Sequence, residues 1–353
     1  MKPSTAHREP AGSRESGEGE ALERGALLAR WLEAQLGHAP VEKQPASCDA
    51  SFRRYWRVQH GGRSLIVMDA PPEREDSARF VRIARRLQAI GLNVPEILAQ
   101  DLTRGFLLMG DLGRESYLDR LDAENADDLY GDALEALVRL QARAPRGDLP
   151  PYDEPLLRRE LGIFTEWLLD RMLGLSLDEG LKPVLGAIWD ALVANALEQP
   201  QVWVHRDYHS RNLMAAPPRP GILDFQDAVV GPVTYDLVSL LRDCYIAWPP
   251  ERVHAWSHGY FERAARAGIL RRADADRFQR WMDLMGVQRH LKAAGIFARL
   301  KLRDGRPGYL RDIPRTLGYV TAVAAAYPEL QPLADLIDEQ VLPPVCDQIA
   351  ALP

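Results

Sequence analysis

His205-Arg206-Asp207-Tyr208-His209-Ser210-Arg211-Asn212, followed shortly by Ile222-Leu223-Asp224-Phe225, is the stretch that decides how this chain folds. An Asp is followed five positions later by an Asn, and a second Asp arrives at the end of a short apolar run. Trp203-Val204 reads as an apolar strand entering the loop, and Leu213-Met214 as one leaving it. Ala215 to Gly221 (Ala-Ala-Pro-Pro-Arg-Pro-Gly) is a turn, after which Ile222-Leu223 returns. A loop closed by a hairpin brings Asp207, Asn212 and Asp224 together.

Those three residue types suit phosphoryl transfer. In such a site Asp207 accepts the proton of an attacking hydroxyl, while Asn212 and Asp224 hold Mg²⁺ against the phosphates of ATP. Hard oxygen ligands on a rigid loop suffice, because the catalysis is positioning and charge neutralisation. His205 reads as a brace for the loop. His209, two positions after the base, reads as a second catalytic group near the transferring phosphoryl. Gln226 and Asp227 follow the metal ligand and are expected to face the substrate or the cation. The competing reading is a surface loop with an incidental capping Asn.

The rest of the chain is consistent with two lobes. At 353 residues it is long enough for a sizeable core, and its 46% hydrophobic and 27% charged content is that of a globular protein. The formal net charge of -6 argues against nucleic acid or an acidic membrane as the main partner. No obligate protein partner is evident. Cys48, Cys244 and Cys346 lie far apart, with neither zinc spacing nor a disulfide framework. No apolar run is long enough to span a bilayer, and residues 1–21 read as a polar, disordered tail rather than a signal peptide. The expected setting is the cytoplasm.

Leu22 to Leu36 reads as a helix ending at Gly37, and Val41 to Cys48 as a first strand. Phe52 to Gln59 and Leu65 to Met68 flank Gly61-Gly62, a hairpin turn signal. Glu73 to Ile90 is a helix stopped by Gly91, and Gly105 to Met109 is a strand running into a Gly-containing turn. The expected fold is α+β and bilobal: a small β-rich N-lobe over 22–109, a hinge at 110–113 and a larger helical C-lobe over 114–353.

The catalytic stretch, with Asp224-Phe225-Gln226-Asp227 and the later Gly231-Pro232-Val233-Thr234-Tyr235-Asp236-Leu237, resembles the aminoglycoside phosphotransferase and choline kinase superfamily. These proteins share the protein-kinase-like fold but act on small molecules. The resemblance implies that Asp236, in the first turn of a helix, hydrogen-bonds the catalytic-loop backbone. It also implies that the hinge, with Met109 and Asp111, meets the nucleotide. Further runs narrow the likeness: Ala50 to Tyr55, Ile66 to Pro72, Leu107 to Gly113, Leu240-Leu241-Arg242-Asp243-Cys244-Tyr245, and Gln288-Arg289-His290-Leu291-Lys292. These are similar to the bacterial N-acetylmuramate/N-acetylglucosamine anomeric kinases of cell-wall recycling. The family implies transfer of the ATP γ-phosphoryl to the C1 hydroxyl of the amino sugar. Arg242, Asp243, Tyr245, Arg289 and Lys292 are then expected to face the substrate, with the two cations near a substrate carboxylate. A solvated helix face is an equal reading for the Arg289–Lys292 stretch. Alternatives are a kinase for another small alcohol or an aminoglycoside, or a non-catalytic nucleotide-binding module.

The N-lobe departs from the protein-kinase pattern. There is no G-x-G-x-x-G loop, Met68 stands where a strand lysine is expected, and the following helix offers no internal Glu. Arg53 or Arg54 is the expected substitute clamp on the nucleotide phosphates. Strand alternation turns only one of them toward the nucleotide.

Overall fold

A computed structural model describes residues 12–37, 43–47, 52–177 and 179–352. The chain divides into two compact units. The first combines Met1–Arg85 with Pro95–Asp111, and the second combines Arg86–Val94 with Leu112–Pro353.

The described residues of the first unit build a five-stranded antiparallel sheet. Its strands are β1 (Gln44–Ser47), β2 (Arg54–His60), β3 (Arg63–Asp69), β4 (Ile97–Asp101) and β5 (Phe106–Gly110), in the order β1-β2-β3-β5-β4. Gly61 and Gly62 turn β2 into β3 with φ of +56° and +75°, a pair of left-handed positions that a two-residue hairpin needs. The register places Val58 opposite Leu65, and Trp56 opposite Val67, which in turn faces Leu108. Because side chains alternate, these residues share one face. Helix α1 (Gly12–Leu36) covers it with Leu28, Trp31 and Leu32. Trp31 and Phe106 meet at 5.8 Å between ring centroids. The opposite face carries Arg57, Met68 and Met109.

Two expectations are corrected here. The chain is helical from Gly12, so residues 12–21 are not the disordered tail anticipated for 1–21; residues 1–11 lie outside the described residues. Once Leu28 to Leu32 anchor a helix, propagation through Glu- and Arg-rich sequence adds a hydrogen bond per residue without a new nucleation cost. The first lobe is also not the continuous segment 22–109. Helix α2 (Ser77–Ala89) begins in the first unit and ends in the second. Asn93 shows why the segment after it groups with the catalytic hairpin: its carbonyl accepts from Ile222 N at 2.7 Å, and its amide donates to the Ala216 and Pro218 carbonyls. The strand expected over Val41–Cys48 is observed for Gln44–Ser47, and its ends lie outside the described residues.

The second unit is mainly helical. Its helices are α3 (Tyr117–Arg120), α4 (Ala126–Arg143), α5 (Glu154–Ile163), α6 (Leu181–Glu198), α7 (Tyr235–Leu241), α8 (Pro250–Arg266), α9 (Ala275–Asp304), α10 (Ile313–Ala324), α11 (Gln331–Leu336) and α12 (Leu342–Ala350). Two short antiparallel ribbons interrupt them. One pairs β6 (Gln201–Val204) with β9 (Val229–Pro232), and the other pairs β7 (Leu213–Met214) with β8 (Gly221–Ile222). α9 has buried residues on every side and no amphipathic pattern, as expected of a helix running through a core. Gly295 lets it run that close: a Cβ there would meet the Ile163 carbonyl oxygen at 2.5 Å, where α5 passes into a π-helical stretch over Phe164–Met172.

Candidate active site

The catalytic loop runs from β6 to β7. β6 is a buried strand, so the loop leaves the core at a fixed point. Arg206 adopts φ +81° and Asp224 φ +61°, both left-handed positions held by non-glycine residues. Such strain persists only where surrounding contacts over-determine it, and the contacts are present. Asp236, fully buried in the first turn of α7, accepts the backbone N–H groups of His205 at 2.6 Å and Arg206 at 3.0 Å. This is the bracing role that the resemblance implies. Burial pushes the Asp236 carboxyl up to about 7, against the pull of those two N–H groups.

His205 is buried, and its Nε2 lies 2.9 Å from the Leu223 carbonyl, the residue before Asp224. Its Nδ1 accepts from Asp207 N at 3.3 Å. The imidazole thus donates through one nitrogen and accepts through the other, which makes it neutral. Burial lowers its pKa to about 4, in agreement. The brace expected at His205 is therefore present.

Asp207, Asn212 and Asp224 are brought together by the backbone. Asn212 Nδ2 donates to the Asp207 carbonyl at 3.0 Å, and Leu223 N donates to the Asn212 carbonyl at 2.9 Å. With Leu213 paired to Ile222, Asp224 emerges near Asn212 just beyond the end of β8. Asn212 spends its amide N–H on the loop, which leaves the side-chain oxygen as its donor atom toward a cation. Gln226 Nε2 steadies one oxygen of Asp224 at 2.7 Å. A carboxylate and an amide oxygen at the open end of this two-stranded ribbon fit Mg²⁺, which takes one or two protein oxygens and completes its shell with water and phosphate. Two buried atoms nearby, Gln226 Oε1 and His209 Nδ1, have no hydrogen-bond partner among the described residues. Orphaned polar atoms of this kind suit a site that takes a polar ligand.

Asp207 is held as a carboxylate by its neighbours. Burial pushes its carboxyl up, but its electrostatic neighbours, led by Lys292 and including the Arg206 cation, outweigh this and hold its pKa below the usual carboxylate value. The two permanent cations in that group belong to a buried network. Glu160 on α5 accepts from Lys292 at 2.8 Å and pairs with Arg206, and Tyr152 donates to it. Lys292 Nζ also donates to Tyr235 Oη at 3.0 Å. Burial alone would raise Glu160, but Lys292 and Arg206 keep it ionised, and Glu160 in turn raises Lys292. The site therefore holds an ionised carboxylate in a setting that would otherwise protonate it.

The remaining sequence candidates fall into three places. His209 is nearly buried and packs edge-on to Tyr245 at 5.3 Å. Asp227 is exposed one residue beyond Gln226. Asp243 is buried and braces backbone, accepting from Ser210 N and Tyr245 N, each at 2.9 Å. Arg242 is paired with Asp283 at 2.5 Å. Arg289 is buried against Cys244 Sγ at 3.5 Å. The Arg289–Lys292 stretch is not the solvated helix face that was an equal reading, since all four residues are buried.

In the first unit, Arg53 is paired with Glu75 at 2.7 Å and Arg54 is exposed. Met109 is buried in β5. The Asp111 carboxylate receives Arg57 Nε at 2.6 Å and Nη2 at 3.0 Å, and also Ser64 Oγ. Met68 is wholly buried between Tyr55 and Leu107 in the sheet register.

Sequence reading missed Glu160, Arg206 and Arg57. Glu160 is an ordinary helical glutamate 46 positions from Arg206, and only the packing of α5 against α9 reveals its role. A signal existed for Arg206, since it lies directly beside the base.

The comparisons agree with this geometry. The model of the phosphotransferase enzyme family matches residues 42–275. A Pseudomonas aeruginosa protein called N-acetylmuramate/N-acetylglucosamine kinase is 53% identical over 298 residues, covering 84% of this chain and 88% of its own. A Neisseria meningitidis protein of the same name is 40% identical, covering 91% and 97%. Among solved structures, choline kinase LicA from Streptococcus pneumoniae aligns with a TM-score of 0.61 at 10% identity, covering 86% of this chain and 99% of its own. The ADP-bound aminoglycoside phosphotransferase APH(2'')-Ib aligns at 0.55 and 16%, covering 83% and 97%. These two likenesses show the fold. With an ionised Asp207 beside paired oxygen ligands, and relatives this similar over most of its length, the chain belongs to the phosphotransferase enzyme family.

Proposed function

We propose that this protein is an ATP-dependent amino-sugar kinase that phosphorylates the anomeric C1 hydroxyl of N-acetylmuramate, N-acetylglucosamine or both. The observation that carries this reading is the ionised Asp207 in a braced loop, in a chain 53% identical to a relative named for those two sugars. In this reading Asp207 takes the proton of the C1 hydroxyl as the oxygen attacks the γ-phosphorus. Asn212 and Asp224 would hold Mg²⁺, which supplies charge neutralisation at the phosphates. His209 and Gln226, with their unpartnered buried atoms, turn toward the reacting groups. Asp227 lies at the same edge.

The nucleotide phosphates are assigned to Arg53 or Arg54. Strand alternation puts Arg54 on the Trp56 and Val58 face under α1 and Arg53 on the Arg57 and Met68 face, so Arg53 is the better candidate, exchanging Glu75 for phosphate. Met109 and Asp111 contribute backbone to the nucleotide, since the Asp111 side chain is committed to Arg57 and Ser64. The reaction would take place in the cytoplasm and return cell-wall sugars to nucleotide-sugar synthesis. Among the described residues no helix is long and apolar enough to cross a membrane.

The test is ATP consumption, with Mg²⁺, against a panel of amino sugars, aminoglycosides and simple alcohols, with the site of phosphorylation read by NMR. The reading stands if an N-acetylated amino sugar gives the 1-phosphate with the highest kcat/KM. Preferred turnover of an aminoglycoside or an alcohol would replace the substrate, and ATP binding without turnover of any acceptor would remove the enzyme.

A further inference from the structure

N-Acetylmuramate is N-acetylglucosamine carrying a lactyl ether on C3, so the two sugars differ by one carboxylate. An enzyme that prefers the first needs a cation at the acceptor site that is not already neutralised. In the second unit the cations around the catalytic loop are mostly committed. Arg206 and Lys292 are paired with Glu160, Arg242 with Asp283, and Arg315 with Asp312 and the Cys244 carbonyl. Arg289 is buried against Cys244.

Arg211 differs from all of them. It is exposed, lies four positions after Asp207, and directly precedes Asn212. Its guanidinium sits 3.6 Å above the centre of the Tyr245 ring and 5.5 Å from that of Tyr309. Among the described residues no carboxylate pairs with it. Asp119 and Asp312 feel its charge, but Asp119 is engaged in the cap of α3 and Asp312 with Arg315. The aromatic support is itself fixed. Tyr245 packs on His209 at 5.3 Å and on Phe297 at 6.2 Å, and Phe297 stacks on Tyr309 at 5.7 Å. A guanidinium seated over a ring by its central carbon still has N–H groups to offer, and these can meet a carboxylate with two parallel hydrogen bonds.

We propose that Arg211, seated on Tyr245, binds the lactyl carboxylate of N-acetylmuramate and sets the preference for that sugar over N-acetylglucosamine. This rests on the amino-sugar kinase reading above and adds a specificity residue to it. C3 lies two ring positions from the reacting C1, and Arg211 lies four residues from Asp207 in the same loop, so both ends of one sugar ring are expected at this loop. The Tyr245–His209 contact joins the carboxylate site to the catalytic loop.

The experiment measures kcat/KM for both sugars, and for the lactyl methyl ester of N-acetylmuramate, with the wild-type enzyme, Arg211→Met and Arg211→Lys. The readout is the ratio of N-acetylmuramate to N-acetylglucosamine, which cancels any loss common to both. Arg211→Met should lower this ratio about ten- to a hundredfold, as expected for a lost charge-assisted contact. Arg211→Lys should recover part of it, because it keeps the charge without the fork. The ratio of the ester to N-acetylglucosamine should not respond to either variant. An unchanged ratio in Arg211→Met, or an ester as sensitive as the acid, overturns the assignment while leaving the kinase reading intact. A wild-type enzyme that phosphorylates neither sugar removes the kinase reading itself, and this inference with it.

Discussion

The N-terminal sheet and the catalytic loop both bury charged residues, but they use them differently. In the sheet the charges are paired locally: Arg57 with Asp111, Arg53 with Glu75, and Arg24 with Asp69. The first ties β2 to the residue after β5, the second the residue before β2 to the approach to α2, and the third helix α1 to β3. Met68, at the position where the protein-kinase pattern has lysine, is fully buried among apolar neighbours. In the catalytic loop the ion pairs serve one group. Glu160 offsets only one of the two cations Arg206 and Lys292, and the positive charge left over helps keep Asp207 ionised, while Asp236 and His205 hold the backbone that carries it. Paired charges in a sheet can be exchanged for other pairs. Charges arranged around a reactive carboxylate cannot, because the protonation state of that carboxylate depends on all of them.

Substitutions in the two regions should therefore fail in different ways. The largest effect is expected at the base. Asp207→Asn should lower kcat about 10²–10⁴-fold while ATP affinity, read by calorimetry, is kept. Near wild-type turnover in this variant would show that the loop does not supply the base.

Glu160→Ala should come next, and it should act through stability. It leaves Arg206 and Lys292 buried without their shared partner, a loss of about 3–5 kcal/mol in chemical denaturation. If the denaturation midpoint hardly moves, the cluster is not a coupled unit and the contrast with the sheet collapses.

Met68→Lys probes the sheet. The ammonium would be buried with no glutamate on α2 to receive it, costing roughly 2–4 kcal/mol, and activity should not rise. A rise in kcat/KM for ATP would mean that the first unit still has room for a strand lysine.

The smallest effect is a change in slope with pH. His290 is buried, stacks on Tyr319 and lies against the Arg242 carbonyl, with the Arg289 and Arg242 cations nearby; burial lowers its pKa to about 3. The unfolded chain takes up this proton near 6.5 and the folded chain only near 3. The stability that His290 contributes is thus complete above pH 6.5 and is lost as the pH falls toward 3, at up to about 1.4 kcal/mol per pH unit. Asp236, raised to about 7, works in the opposite direction over part of that range. His290→Gln keeps a hydrogen-bond donor and removes the titration, so its melting temperature should fall less steeply than that of wild type between pH 6.5 and 4. Parallel profiles would assign the acid sensitivity to other groups.

Much of the site was legible in the residues alone. The Asp207–Asn212–Asp224 spacing, the strands on either side and the turn over 215–221 follow from chemistry that needs those residue types in that order, while the bracing aspartate at 236 came only from the family resemblance. The bilobal α+β fold followed from hairpin and helix signals at the expected spacing. The roles of the downstream polar residues were not legible. Asp243 has the same local context as a substrate ligand but spends both oxygens on backbone N–H groups. Arg289 and Lys292 could equally have faced water, until the burial of α9 on all sides settled the matter.

By itself, then, the amino-acid sequence determined the order of the elements and the loop and hairpin that gather Asp207, Asn212 and Asp224, because local spacing and apolar periodicity act over a few residues and survive in any correct fold. Only the tertiary structure decided which charges meet. The pairing of Glu160 with Arg206 and Lys292, the capture of Asp111 by Arg57, and the seat of Arg211 on Tyr245 join residues up to 132 positions apart. Electrostatic energy depends on distance and burial in space, and neither is encoded in the spacing along the chain.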